Sequence, residues 1–241
     1  NLSLNEEAAH DTPLINDPRV LSENDLVKVD FGVHVEGCIV DQSFSFCGNN
    51  ENDPLIQASR QALEDGLSVA RAGKNVRDVG KAISDAITTR GFKPVENLCG
   101  HSLEPYVVHA GVSVPNVARG DYVFKEGDVF AIEPFATTGA GKVEDGNLLE
   151  IFSLVDPRNV RLPQSRKALE TIMEKRRTLP FAKRFLLPIL GTETSVELAI
   201  KDLTRQGILH GYPVLNEINK GLVSQAETTV IIEKDSVKVL V

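Results

Sequence analysis

Two aspartates on one strand pair are the first residues in this sequence whose types and spacing suggest chemistry. Leu26-Val-Lys-Val-Asp30-Phe-Gly-Val-His-Val and Cys38-Ile-Val-Asp41-Gln-Ser-Phe-Ser-Phe flank the turn-forming pair Glu36-Gly37 and read as a β-hairpin. A two-residue turn at Val35-Glu36 sets Asp30 directly opposite Asp41; a turn at Glu36-Gly37 sets them one rung apart. Either register leaves both carboxylates on one face, with Lys28, Gly32, His34, Ile39 and Ser43. Val29, Phe31, Val33, Val40 and Phe44 fill the other face. Two anions about 5 Å apart across a sheet repel each other. A divalent cation with hard oxygen ligands offsets that repulsion. Two solvated surface aspartates are the plainer reading of such a pair, but three further residues of ligand type weigh against it. His101 sits in a Gly-flanked turn after Cys99. Glu133 is the one acid in Val129-Phe-Ala-Ile-Glu133-Pro-Phe, and Glu227 opens the β-branched run Thr-Thr-Val-Ile-Ile.

The elements that must position these side chains alternate between strand and helix patterns. Leu55, Ala58, Ala62, Leu63 and Leu67 recur at helical spacing and predict a helix over 55–72, with a second over 79–89; Gly73 and Gly91 are the expected stops. Short extended runs are expected at 106–109, 122–124, 128–135 and 150–154, and a closing hairpin at 227–241. Between them, residues 156–213 are helix-rich, with Ser165 as a candidate N-cap for a helix over 167–177. This stretch holds 11 Lys+Arg against six Asp+Glu, a net +5 that leaves the remainder at −13. The expected organisation is therefore an α/β catalytic domain, 1–154 with 214–241, interrupted by a helical insert subdomain over 155–213.

Composition excludes several function classes. The 241 residues carry a formal charge of −8, which argues against a whole-surface nucleic-acid binder and against DNA as partner. No run approaches the roughly 18 apolar residues that a membrane helix needs. The first residues show neither the basic nor the apolar region of a signal peptide. Three irregularly spaced cysteines give no disulfide framework or zinc pattern, so a reducing cytoplasmic setting is expected. With no Trp and three Tyr, an aromatic stacking platform is not expected either.

Taken in order, Val29-Asp30-Phe-Gly, Val40-Asp41, Gly100-His101, Val107-Val-His109-Ala-Gly, Ala131-Ile-Glu133-Pro-Phe-Ala and Gln225-Ala-Glu227-Thr resemble the motifs of methionine aminopeptidases. The leading segment ending in His10-Asp-Thr-Pro resembles the motif of that family's first active-site histidine. The 94-position interval from Glu133 to Glu227 is similar to that of type II enzymes. The resemblance implies a pita-bread α/β fold, in which a curved antiparallel sheet is backed by helices. It implies two divalent metal ions per chain, Co, Mn, Fe or Zn, held by Asp30, Asp41, His101, Glu133 and Glu227. Asp41 and Glu227 would bridge the ions, Asp30 would serve one, and His101 and Glu133 the other. His10 and His109 would face the substrate, with Val108 and Tyr212 as candidate pocket walls. Glu133 would move the proton and His109 would donate to the developing oxyanion during attack by a metal-bridging hydroxide. The implied activity is removal of N-terminal methionine from nascent polypeptides whose second residue is small, by a cytoplasmic monomer.

The same resemblance sets Thr228 where many relatives carry His. It also leads one to expect a further segment upstream of Asn1, either cut away or separate. Two alternatives of other classes remain: a non-catalytic relative that binds RNA or the ribosome through Lys175-Arg-Arg177 and Lys183-Arg184, and a proline-specific peptidase of the same fold. Gly139-Ala-Gly-Lys142 has the look of a phosphate loop, but its spacing is wrong and Val143 stands where a Ser or Thr is needed. His34 and His210 are expected to be ordinary surface or capping residues.

Overall fold

The computed structural model describes residues 1–50 and 52–240, which cluster into two compact units. The first comprises Asn1–Ala9, Val20–Asp145 and the chain from Leu215 onward; the second comprises His10–Arg19 and Gly146–Val214. In chain order the first unit holds strands β1 (Leu2–Leu4), β2 (Glu7–Ala9), β3 (Leu26–Val35) and β4 (Cys38–Cys47). Helices α1 (Asp53–Val69) and α2 (Val76–Thr89) follow, then β5 (Lys93–Pro94), β6 (Cys99–Ser102), β7 (Ser113–Pro115), β8 (Val129–Ile132) and β9 (Phe135–Thr137). Strand β10 (Val143–Leu154) carries the chain into the second unit, which contains α3 (Pro163–Lys175), β11 (Phe181–Ala182), α4 (Leu187–Leu190) and α5 (Glu193–Arg205). Strand β12 (Leu209–Glu217) returns it to β13 (Val223–Gln225), β14 (Thr228–Ile232) and β15 (Val237–Val239).

Glu36 and Gly37 both take positive φ, +51° and +95°, the geometry of a type I′ turn that suits a two-residue hairpin. Val35 therefore pairs with Cys38, and the register runs on to Asp30 opposite Ser43 and Gly32 opposite Asp41. Of the two registers open from sequence, this is the one that sets the aspartates a rung apart on one face. That face is the buried one: Lys28, Ser43 and Ser45 are almost entirely covered. The apolar face points outward, leaving Phe31, Val33 and Phe44 respectively 46%, 58% and 44% exposed. The usual reading of an alternating strand, apolar side inward, is inverted here because the chemistry occupies the inner side.

The five-stranded antiparallel sheet β15-β14-β8-β6-β7 receives α1 and α2 on the side where Phe130, Ile132, Val230 and Ile232 project. Leu55, Ala58 and Ala62 of α1 and Val79, Ile83 and Ile87 of α2 complete that core. Helix α2 starts where Asn75 accepts from the Arg77 amide and Asp78 reaches back to the Asn75 amide, a capping box. It ends before Gly91, whose φ is +81°. Strand β8 stops at Ile132, because Pro134 has no N–H to continue the ladder.

Three local expectations are corrected. The run 106–109 is a loop rather than a strand, with Tyr106 at φ +63°, and 122–124 makes a single bridge between Val123 and Asn75. Helix α3 starts at Pro163, whose missing amide costs nothing in a first turn. Ser165 consequently lies inside that turn, buried, and donates to Asp202 Oδ2 at 2.7 Å instead of capping.

Within the second unit, Ala168, Leu169 and Ile172 of α3 pack on Val196, Ala199 and Leu203 of α5. Among the described residues no helix is long and apolar enough to cross a membrane.

Candidate metal centre

The five predicted ligands come from separate elements of the first unit and converge. Asp30 and Asp41 project from β3 and β4, and His101 from β6, where it pairs with Ala131 of β8. This approach requires Gly100, since a Cβ there would lie 2.2 Å from the Ala131 carbonyl oxygen. Glu133 occupies the break between β8 and β9, and Glu227 immediately precedes β14. Two sets of contacts stitch β4 to β14. Ser43 and Glu227 exchange backbone hydrogen bonds of 3.4 and 3.1 Å. Thr229 Oγ1 accepts from the Asp41 amide at 2.7 Å and donates to its carbonyl at 2.8 Å.

Ligand atoms of Asp41, His101 and Glu227 lie within 4.8 Å of one another, and so do those of Asp30, Glu133 and Glu227. Glu227 is thus common to both clusters. It is 1% exposed, and neither of its carboxylate oxygens has a hydrogen-bond partner. Glu133 stands with Asp30 in the second of these clusters. The Gln225 side-chain amide links the two, donating to Glu133 Oε1 at 2.7 Å and to Asp30 Oδ2 at 3.3 Å.

The electrostatics follow from burial and crowding. Burial and the charge of Asp30 push the Asp41 carboxyl up to about 7. Glu133 is held well above the ordinary range by burial, then by Asp30 and Asp41. Glu227 is raised likewise by burial, then by Glu133, Asp41 and Asp30. Burial and the neighbouring His109 pull His101 down to about 3, so its imidazole is neutral, the form that ligates. Four repelling carboxylates, one neutral imidazole and two orphaned buried oxygens fit divalent cations of the hard-to-borderline range.

His109 is exposed, and its ring stands edge-on to that of His101 with centroids 4.5 Å apart. Val108 is half-buried beside it. His10 and Tyr212 belong to the second unit, their rings 5.5 Å apart. His10 takes φ +66°, and its Nδ1 lies 3.1 Å from the Pro213 carbonyl; an oxygen that only accepts places the proton on Nδ1. The Tyr212 hydroxyl is 3.1 Å from Ser153 Oγ. His34 caps the hairpin turn, with Nδ1 accepting from the Gly37 amide.

Sequence reasoning missed three supports of this centre. Gln225 entered only as part of a motif, although alternation sets it on the face of Glu227. Thr229 was passed over, and Lys28 was placed on the face of the aspartates without a role. Lys28 Nζ donates to the carbonyls of Asn5 and Val223 at 3.0 Å each, and burial pulls its ammonium down to about 7.

A fold of curved antiparallel sheets with covering helices, arranged around a nest of carboxylates and one imidazole, defines a metallohydrolase of the pita-bread type. Residues 1–164 match metallopeptidase family M24, and the chain belongs to that family. It is 50% identical to a methionine aminopeptidase of Pyrococcus horikoshii over 99% of this chain and 81% of that protein. Among solved structures it is similar to a thermophilic Arx1, with TM-score 0.84, 17% identity and coverage of 99% of this chain and 73% of that one. It is also similar to the methionine aminopeptidase of Thermotoga maritima, with TM-score 0.66, 18% identity and coverage of 99% and 72%. At such identities the two structures speak to the fold, which they share.

Proposed function

We propose that this chain is a metal-dependent aminopeptidase that removes N-terminal methionine from polypeptides whose second residue is small. The convergence of Asp30, Asp41, His101, Glu133 and Glu227 on one buried locus carries the reading, together with the identity to methionine aminopeptidases. These five residues would hold divalent ions, most simply two, since Glu227 is shared by two ligand clusters. Bound ions would supply Lewis-acid polarisation of the scissile carbonyl and a nucleophile competent near neutral pH.

The protein's own groups do the rest. Glu133, whose proton affinity is raised by its surroundings, takes a proton and returns it to the departing amine. His109, exposed beside His101, donates to the oxygen on which negative charge develops. Val108, half-buried beside His109, lines the side-chain pocket. The nascent chain is the natural substrate of such an activity, and the basic helical stretch suits docking beside ribosomal RNA. The ligand set and the identity to methionine aminopeptidases favour this reading over the RNA-binding and proline-specific alternatives.

The experiment is direct. Chelation should abolish cleavage of Met-Ala-Ser and a divalent ion should restore it, with Met-Leu-Ser a far poorer substrate. Cleavage by demonstrably metal-free protein would overturn the reading.

A further inference from the structure

Gln225 is 1% exposed, and its side chain reaches two carboxylates that come from different elements of the fold. Nε2 donates to Glu133 Oε1 at 2.7 Å and to Asp30 Oδ2 at 3.3 Å. An amide nitrogen carries two hydrogens and no charge, so it can serve both acids at once without competing with a cation. Each acid also keeps a second oxygen outside these two bonds.

The residue is itself firmly held. Its backbone N–H donates to Ser45 Oγ at 2.7 Å, and the same hydroxyl donates to the Gln225 backbone carbonyl at 2.8 Å. Ser45 is fully buried and pairs with Lys28 across the hairpin. Lys28 Nζ in turn donates to the Val223 carbonyl, two residues before Gln225 on the same strand. The backbone of Gln225 is therefore anchored to the hairpin that carries Asp30 and Asp41, while its side-chain amide grips the acid that follows β8. A carboxylate fixed through one oxygen presents the other in a set direction.

We infer that Gln225 is a positioning residue of this centre. Its side-chain amide orients Glu133 and Asp30 together. The inference rests on the metallopeptidase reading and names a residue that acts through the ligands rather than on substrate.

The test uses the metal-free protein, with Gln225→Met as a neutral replacement of similar size that lacks the donor, and Gln225→Glu as a second. Each is titrated with Co(II) by calorimetry, and the visible absorption of the bound ion is recorded. The expected result for Gln225→Met is a 10- to 100-fold loss of affinity for at least one ion, with an altered Co(II) band and a near-unchanged melting temperature of the metal-free protein. Should that variant fail to fold, Gln225→Glu reads the same quantities at conserved volume and should also change the band. Wild-type affinity and spectrum in the folded variants, or a melting temperature that falls while the spectrum stays the same, would overturn the inference alone. A wild-type protein that takes up no Co(II) would overturn it together with the metallopeptidase reading.

Discussion

At the scale of single residues, the centre is costly to assemble without cations, and that cost makes predictions. In the unfolded chain the carboxyls lose their protons around pH 4. In the metal-free fold Asp41 keeps its proton until about 7, and Glu133 and Glu227 are raised well above their ordinary value. Across the interval the folded state binds more protons than the unfolded one, so metal-free stability should fall as pH rises from about 4 to 7. Glu227→Gln removes one of the repelling acids and should flatten that slope. It should also raise the metal-free melting temperature at pH 7.5 by about 2–4 °C per kcal/mol relieved, while metal affinity collapses. Thermal melts of both proteins with and without chelator are the check; a wild-type stability that climbs over this interval would contradict the account. Glu133→Gln removes the proton carrier and one anionic ligand together, so metal affinity should weaken and, at saturating metal, kcat should still fall by about 10²–10⁴. All five candidate ligands stand out in the sequence, as acids in apolar strands and a histidine between turns, and the ordered motifs join them into one set. The contacts that hold them do not. The link between Glu133 and Asp30 runs through a neutral glutamine, which no pattern of charge or hydropathy marks.

At the scale of elements, the loop with the look of a phosphate site has a different occupant. The carboxylate of Glu217 lies in it and accepts from the backbone amides of Ala140, Gly141, Asn219 and Gly221. Burial works to raise the Glu217 carboxyl, but these four donors outweigh it and hold it below the usual range. A Cβ on Gly139 would fall 2.2 Å from Glu217 Oε2, so glycine there is a steric requirement of the anion it faces. The clamp joins the segment after β9 to the end of β12, which pairs with β2 through Leu215 and Ala9. Glu217→Gln should cost about 2–3 kcal/mol near neutral pH, in line with the loss of hydrogen bonds to a charge. Because the folded-state value is depressed, that stabilisation is full above about pH 4 and is lost as the pH falls through it. Urea titrations at pH 7 and pH 3.5 should show the wild-type advantage shrinking, with Co(II) affinity at pH 7 unaffected. The sequence showed a glycine pattern able to cradle an anion; it could not show that the anion lies 76 residues further on. The hairpin was legible from Glu36-Gly37 for the opposite reason, because its determinants are local. The inward turn of its polar face depends on β13 and β14, far away in the chain.

At the scale of the whole molecule, the basic stretch between Glu133 and Glu227 is where sequence and structure part most usefully. Five cations there were candidates for phosphate contacts, and at least three are used within the second unit. Lys183 bridges Glu150 and Glu197 at 2.6 Å each and is largely covered. Arg184 donates to Thr12 Oγ1 and to the Pro13 carbonyl. The Arg176 guanidinium lies 4.4 Å from the Phe185 ring centroid, a cation–π contact. Charge counting cannot tell a cation at work inside the fold from one facing solvent, and here the difference decides which residues can meet RNA. Lys167 and Lys175 of α3 are exposed and stand eight positions apart on one helix, near enough to two turns to share a face. If the ribosome is the site of action, contacts with its phosphates should respond to these two. Lys167→Ala with Lys175→Ala should reduce ribosome co-sedimentation about tenfold at low salt and flatten its salt dependence, while kcat/KM on a free tripeptide stays at the wild-type value. Lys183→Met should act in the opposite way, leaving a buried carboxylate without its partner and lowering stability by about 3–5 kcal/mol. Binding that is insensitive to salt and to the paired substitution would mean that nascent chains reach this enzyme in solution, the charge of α3 serving only its solubility.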